Sequence, residues 1–173
     1  MKISIKTDRL FIRKITEEDW MGIKNIATDF QQSEYVIYDH PLPTEDNKLK
    51  NLTKRFADSG LFFAVFLKDS SEMIGYISLH DDGESHDIGY CFHSDYFGKG
   101  YAFESCSEVI KHMEQHNNVK IFTAGTALKN EPSCRLLKKL GFVLKEREPL
   151  AFHVDEAGND IVFEGGHFIR ASK

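Results

Sequence analysis

Between residues 96 and 102 the chain reads Tyr96-Phe97-Gly98-Lys99-Gly100-Tyr101-Ala102, a run suited to holding an anion. Two glycines one residue apart let the backbone turn with positive φ and come close to a ligand. Where such a turn opens a helix, successive backbone N–H groups converge on one spot and the helix dipole adds to their pull. Lys99 adds a mobile positive charge. A phosphate group is the expected guest. Two phosphate motifs are excluded, because the loop lacks the Gly-Lys-Ser/Thr ending of a P-loop and Phe103 stands where a dinucleotide fingerprint needs its third glycine. Gly-X-Gly before a helix is also a common tight turn, so the loop alone does not name its ligand. Other reactive side chains flank it in sequence: Asp87, Glu104, His80, His86, His93, Asn130 and Ser133. Each has a plain structural reading. Asp87 suits a solvated strand start, and Glu104 a first-turn acid that complements the helix dipole. Asn130 and Ser133 suit a helix cap, although Pro132 fits a first helical position and would make Glu131 the cap.

The elements that must position these groups follow from periodicity. Leu10, Phe11 and Ile12 give a short strand, and Thr16 ahead of Glu17, Glu18 and Asp19 gives a helix start continued by Trp20, Ile23 and Ala27. Residues 30–43 read as irregular, and residues 45–58 as a second helix ending before Gly60. Residues 61–67 form a continuous apolar run suited to a buried strand, followed by strands at 73–79 and 87–92 with turns between them. Phe103, Cys106, Val109, Ile110 and Met113 recur at helical spacing. A strand at 119–124, a helix around Leu136, Leu137 and Leu140, and strands near 143–146 and 161–169 complete the series. The hairpins imply antiparallel pairing, and the strand–helix–strand unit from residue 87 to 124 implies one parallel crossover. The expected fold class is α/β: a mixed, mostly antiparallel central sheet with helices on both faces, in one domain over residues 1–173.

Composition narrows the function classes. The net charge of −5 and the absence of a long basic run argue against nucleic acid as a partner. No run of apolar residues is long enough to span a membrane, and residues 1–6 lack a signal peptide's apolar core, so a cytoplasmic location is expected. The three cysteines, Cys91, Cys106 and Cys134, are widely and irregularly spaced. They read as reduced thiols, not as a disulfide framework, and no metal site is expected.

Several blocks taken together resemble one family. Asp87-Ile88-Gly89-Tyr90, then Tyr96 through Ala102 with Glu104, then Asn130-Glu131-Pro132-Ser133 and Leu140-Gly141-Phe142 are similar to the GNAT acetyltransferases. The likeness is to the branch that includes the ribosomal-protein N-terminal acetyltransferases RimJ and RimL, and Thr7-Asp8-Arg9-Leu10 with Arg13 agrees with it. The resemblance implies an N-acetyltransferase that moves an acetyl group from acetyl-CoA to a primary amine by direct attack. It implies that the amides of Gly98, Lys99, Gly100, Tyr101 and Ala102 cradle the CoA pyrophosphate. Phe97 replaces the family's usual Gln or Arg, which removes a polar side chain and leaves the amides. The strand from Tyr90 to Phe92 is then expected to pair its backbone with the pantetheine arm, with Cys91, Phe92 and His93 on the cofactor and a backbone N–H near Cys91 polarising the thioester carbonyl. Asn130 is expected to bond the pantetheine side, and Ser133 to protonate the leaving thiolate.

The amine must lose a proton before or during attack. The branch often carries Glu before Ile-Gly-Tyr, and Asp87 holds that place here, one methylene shorter. Asp87 is the expected base, Glu104 the second candidate and His86 a fallback. The acceptor side is expected at residues 30–43 and 152–168, which offer Tyr35, Tyr38, Asp39, His40, Asp155 and Glu164. Protein N-termini, polyamines and other small amines all fit. The alternative reading is a CoA-binding sensor without turnover, and a homodimer is the expected assembly.

Overall fold

The structure, a computed structural model, describes residues 3–172; residues 1–2 and 173, at the ends of the expected domain, lie outside them. Eight strands form one sheet: β1 (Ser4–Lys6), β2 (Leu10–Lys14), β3 (Phe62–Leu67), β4 (Met73–Asp81), β5 (His86–Phe92), β6 (Ile121–Ala127), β7 (Val143–Val154) and β8 (Asp160–Ala171). Their spatial order is β1-β2-β3-β4-β5-β6-β8-β7. Six of the seven pairings are antiparallel and the β5–β6 pairing is parallel. Four α-helices cover the sheet: α1 (Trp20–Gln31), α2 (Asp46–Ser59), α3 (Tyr101–His116) and α4 (Glu131–Lys139).

The apolar run in β3 is buried on both faces, which is why it lacks alternation. Ala64 packs with Ile15, Ile23 and Leu49 beneath α1 and α2, joined by Phe62 and Phe66. Phe63 and Val65 point the other way, into the core shared with Cys106, Val109, Ile110 and Met113 of α3 and Leu137 of α4. Side chains such as Phe63, Ile77 and Leu137 are fully buried, and each contributes roughly 1.5–3 kcal/mol of hydrophobic stabilisation.

The expected elements are present with three differences. β1 adds an eighth strand; at three residues it is too short to show a period. The segment read as irregular contains a 3-10 turn, Glu34–Tyr38, capped by the Ser33 side chain accepting from the Tyr35 N–H. The last two strands each run for 12 residues, because β7 is the sheet edge, where the charges of Lys145 to Glu148 and Pro149 are tolerated.

One topological feature makes the site. β5 pairs with β6 only at His86–Phe122 and Asp87–Thr123. Beyond that point β5 stays paired to β4 through Phe92, and β6 stays paired to β8 through Ala127. The two parallel strands therefore part like a fork, and each has one edge free of strand partners.

Candidate active site

The fork opens into a cleft of about 650 Å³, within the size range of small-molecule sites. Ile88, Tyr90, Cys91 and Phe92 line one side, Ala124, Gly125 and Thr126 the other, and the start of α4 closes it with Asn130, Pro132 and Ser133. The glycine loop forms its far end through Phe97, Gly98, Gly100, Tyr101 and Ala102.

Gly98 and Gly100 have φ of +72° and +82°, values that L side chains reach only with strain. A Cβ on Gly98 would enter open space, and one on Gly100 would approach Arg9 Nη2 at 3.4 Å. Gly100 is the N-cap of α3, and no side-chain cap is present there among the described residues. The first N–H groups of α3 have no intrahelical acceptor by construction, so this end is open to an anion. Lys99 does not reach toward that spot. Its Nζ donates to the Asp95 carbonyl at 2.8 Å and lies 5.4 Å from the Tyr96 ring centre. Lys99 offers its backbone N–H, while its carbonyl accepts from Arg9 Nη1 at 2.9 Å.

Glu104 lies away from the cleft. Its Oε1 accepts from Thr7 Oγ1 at 2.5 Å, and its Oε2 accepts from Arg9 Nε at 2.8 Å and Nη2 at 2.6 Å. Burial pushes its carboxyl up, but the Thr7 and Arg9 hydrogen bonds outweigh this and hold it below the usual range. Glu104 is thus joined through Arg9 to the glycine loop, outside the lining of the cleft. His93 also turns from the cleft: its N–H donates to the Ile74 carbonyl at 2.9 Å, and its Nδ1 accepts from the Asp95 N–H at 3.3 Å.

Ser133 sits in the first turn of α4. Asn130 is the cap, its Oδ1 accepting from the Ser133 N–H at 3.4 Å, and Glu131 and Pro132 follow inside the helix. The Ser133 hydroxyl lies 2.8 Å from the Tyr90 hydroxyl. This contact brings in a group that sequence reasoning missed. Tyr90 is read there for its backbone alone, and the 43-residue separation hides its partner. Burial raises the Tyr90 phenol far above its ordinary pKa, so it stays protonated.

Asp87 stands at the last paired position of the fork, where its Oδ1 accepts from Thr123 Oγ1 at 2.9 Å. It keeps access to water, yet crowding by its surroundings pushes its carboxyl up, partly offset by the Thr123 hydroxyl and the His167 and His80 rings. His86 is held elsewhere, with Nε2 3.9 Å from Asp81 Oδ2 and its ring against Phe122.

The two acceptor-side segments touch. Tyr38 meets Phe163 edge-on at 4.8 Å, His40 meets Phe152 at 5.0 Å, and His153 Nε2 bonds the carbonyls of Val36 and Asp39. Tyr35 and Asp39 line the cleft. Asp155 and Glu164 do not: Asp155 holds the β7–β8 turn by accepting from the Ala157 and Asn159 N–H groups, and Glu164 pairs with Arg147 at 2.5 Å. The cysteines are poor nucleophiles. Burial pushes the Cys91 thiol up to about 12, aided by the charges of Asp39 and Asp29, and burial also raises Cys106 and Cys134.

Comparison with known proteins agrees with this geometry. Residues 9–143 match the model of the acetyltransferase (GNAT) domain. The N-acetyltransferase YnaD of Bacillus subtilis is 29% identical over 139 residues, covering 79% of this chain and 81% of that protein. Among solved structures, ribosomal-protein-S5-alanine acetyltransferase from Vibrio fischeri superposes with a TM-score of 0.82 at 18% identity, over 98% of this chain and 96% of that one. Spermidine N-acetyltransferase from Vibrio cholerae, in complex with CoA and spermine, superposes with a TM-score of 0.78 at 16% identity, over 95% and 96%. An open helix N-terminus at the end of a forked parallel pair, on a chain matching that domain over most of its length, makes this protein an N-acetyltransferase of the GNAT family.

Proposed function

We propose that the chain transfers an acetyl group from acetyl-CoA to a primary amine by direct attack, with both substrates bound at once. The observation that carries this reading is the continuity of the cleft from the uncapped start of α3 to the Tyr90–Ser133 hydroxyl pair at the fork. The N–H groups of Gly98, Lys99, Gly100, Tyr101 and Ala102 hold the pyrophosphate. The free edge of β5 around Cys91 and Phe92 pairs with the extended pantetheine arm, and the Asn130 amide NH₂ bonds its other side. A neighbouring acetyltransferase of the same fold carries CoA, and the glycine loop has room for the same phosphates.

Positioning supplies most of the rate, because the fork holds thioester and amine in one orientation. The amine arrives as an ammonium and gives one proton to Asp87, directly or through water. Its nitrogen then attacks the thioester carbon, and the carbon–sulfur bond breaks as the tetrahedral intermediate collapses. The thiolate takes a proton from the Ser133 hydroxyl, which is oriented by Tyr90, and the second proton of the new ammonium replaces it through solvent. With every cysteine held as a thiol, an acyl-enzyme step has no ready nucleophile. The acceptors of the structural neighbours, a ribosomal-protein alanine and spermidine, bracket the amines to try. The test is release of free thiol from acetyl-CoA on addition of amines. Amine-dependent release supports the reading, and CoA binding without any such release overturns it.

A further inference from the structure

One carboxylate in the cleft is used by none of these steps. Asp39 ends the 3-10 turn Glu34–Tyr38 in extended backbone, with its N–H donating to the Val36 carbonyl at 3.2 Å. His153 Nε2, from β7, bonds the Asp39 carbonyl at 2.8 Å. The His40 N–H donates to Asp39 Oδ1 at 2.7 Å. The backbone and one carboxylate oxygen are therefore fixed, and Oδ2 is left for a ligand.

Asp29, the nearest comparable group, is different. Its Oδ2 accepts from the Ser94 N–H at 2.8 Å and its Oδ1 from Ser94 Oγ at 2.6 Å, with the His93 ring 3.8 Å away. Asp29 is satisfied within the fold. Asp39 has no lysine or arginine partner among the described residues; the His40 and His153 rings lie close enough to pull its carboxyl partly back down. Asp39 lines the cleft together with Cys91, and its charge helps to push the Cys91 thiol up. Phe30 and Tyr35 line the same cleft.

Asp39 is exposed to solvent at the cleft wall, and a ligand that brings a cation gains a charge-assisted hydrogen bond there. An aliphatic amine does so, because its pKa lies near 10.4, like that of lysine, and it arrives charged. Aromatic side chains in the same cleft, Phe30 and Tyr35 among them, suit the same guest. We propose that Asp39 is the acceptor-binding carboxylate, receiving the ammonium group of an aliphatic amine that enters between the 34–38 turn and the β7–β8 hairpin. The proposal rests on the amine-acetyltransferase reading. It adds that cationic acceptors are selected by one charge–charge contact, positioned by His153 and His40.

The experiment titrates n-butylamine and 1,4-diaminobutane into the CoA-saturated full chain by calorimetry. It compares wild type, Asp39→Asn and Asp39→Glu. Asn keeps the oxygen that accepts from the His40 N–H, so the turn should hold, and unchanged CoA affinity checks this. Asp39→Asn should weaken amine binding about 10-fold or more, the size expected for loss of a charge-assisted hydrogen bond. Asp39→Glu should recover most of it. In turnover assays the same loss should appear in KM for the amine, with kcat changed far less. Equal amine affinity in wild type and Asp39→Asn, or no binding of either amine to wild type, overturns the proposal. Failure of acetyl-CoA itself to bind would instead strike the donor reading, and a titration without amine separates the two.

Discussion

The hydroxyls of Tyr90 on β5 and Ser133 on α4 lie 2.8 Å apart, joining the two elements that flank the fork. A serine hydroxyl in a helix first turn can rotate among several acceptors. The buried phenol removes that freedom by offering one fixed partner. In the proposed mechanism Ser133 is thereby the oriented proton donor, and Tyr90 a positioning residue behind it.

Ser133→Ala should therefore lower kcat by about 100-fold, the lower end of what a positioned acid contributes. Acetyl-CoA affinity should change little, because the Asn130 cap uses the Ser133 backbone and not its side chain. Tyr90→Phe should lower kcat less, about 10-fold, since the serine stays but loses its partner. Steady-state kinetics beside calorimetric CoA affinity checks both. Equal losses in kcat and affinity would point to a structural role for the pair.

Gly100→Ala should weaken CoA binding and stability together. At φ +82° an alanine costs roughly 1–2 kcal/mol, and its Cβ would come into van der Waals contact with the Arg9 guanidinium that bonds the loop. Gly98→Ala has the strain without the contact, so it should cost less stability while still placing a methyl group over the anion site. Urea unfolding and CoA titration of the two variants give the comparison.

Much of this site is legible in the sequence, and what is not has a common cause. The glycine loop announces itself because its chemistry is local: the two glycines, the helix start and the free amides fall within seven residues. The Asn130 cap is local too. In the sequence Glu104 reads as a second candidate base and Lys99 as a mobile charge for the anion, because their partners are out of view. Glu104 is held by Thr7 and Arg9, 97 and 95 residues away, and Lys99 folds back on a carbonyl. Tyr90 is hidden for the same reason. Asp39 stands out only when the other acids of its neighbourhood, Asp29, Asp155 and Glu164, are seen to be satisfied elsewhere. The extent of β7 is illegible for a different reason. An edge strand with little buried surface carries no period, so its charges and Pro149 read as loop.

Asp87 makes a prediction about pH. Crowding raises its carboxyl above the ordinary aspartate value, and the Thr123 hydroxyl bond pulls it partly back. As base it must be ionised, so kcat/KM should fall as pH drops through this raised pKa. Thr123→Val removes a bond that favours the charged form, so the acid limb should move to higher pH. Asp87→Asn should lower the rate and abolish the limb. A pH–rate profile unchanged in both variants would remove Asp87 from the mechanism.

Asp19 and Arg13 bear on stability instead. Arg13 grips Asp19 with two bonds, Nη1 to Oδ2 at 2.7 Å and Nη2 to Oδ1 at 2.8 Å, and Asp19 Oδ2 also accepts from the Thr16 N–H at 2.7 Å. The pair ties β2 to the entry of α1, and Asp19 is 8% exposed. Burial alone would raise its pKa, but the bonds from Arg13 and Thr16 outweigh it and the net shift is downward. A carboxyl whose folded pKa lies below its unfolded value of about 3.9 adds stability that is complete above that value. The contribution is lost as pH falls through the folded pKa. Asp19→Asn leaves Arg13 without its counter-charge and should cost roughly 3 kcal/mol at neutral pH. Urea unfolding at pH 7 and at about pH 3 measures it. The gap between wild type and variant should narrow on the acid side, because below about 3.9 the unfolded chain takes up a proton on Asp19 that the folded state resists, which erodes the stability that the carboxylate adds to the wild type.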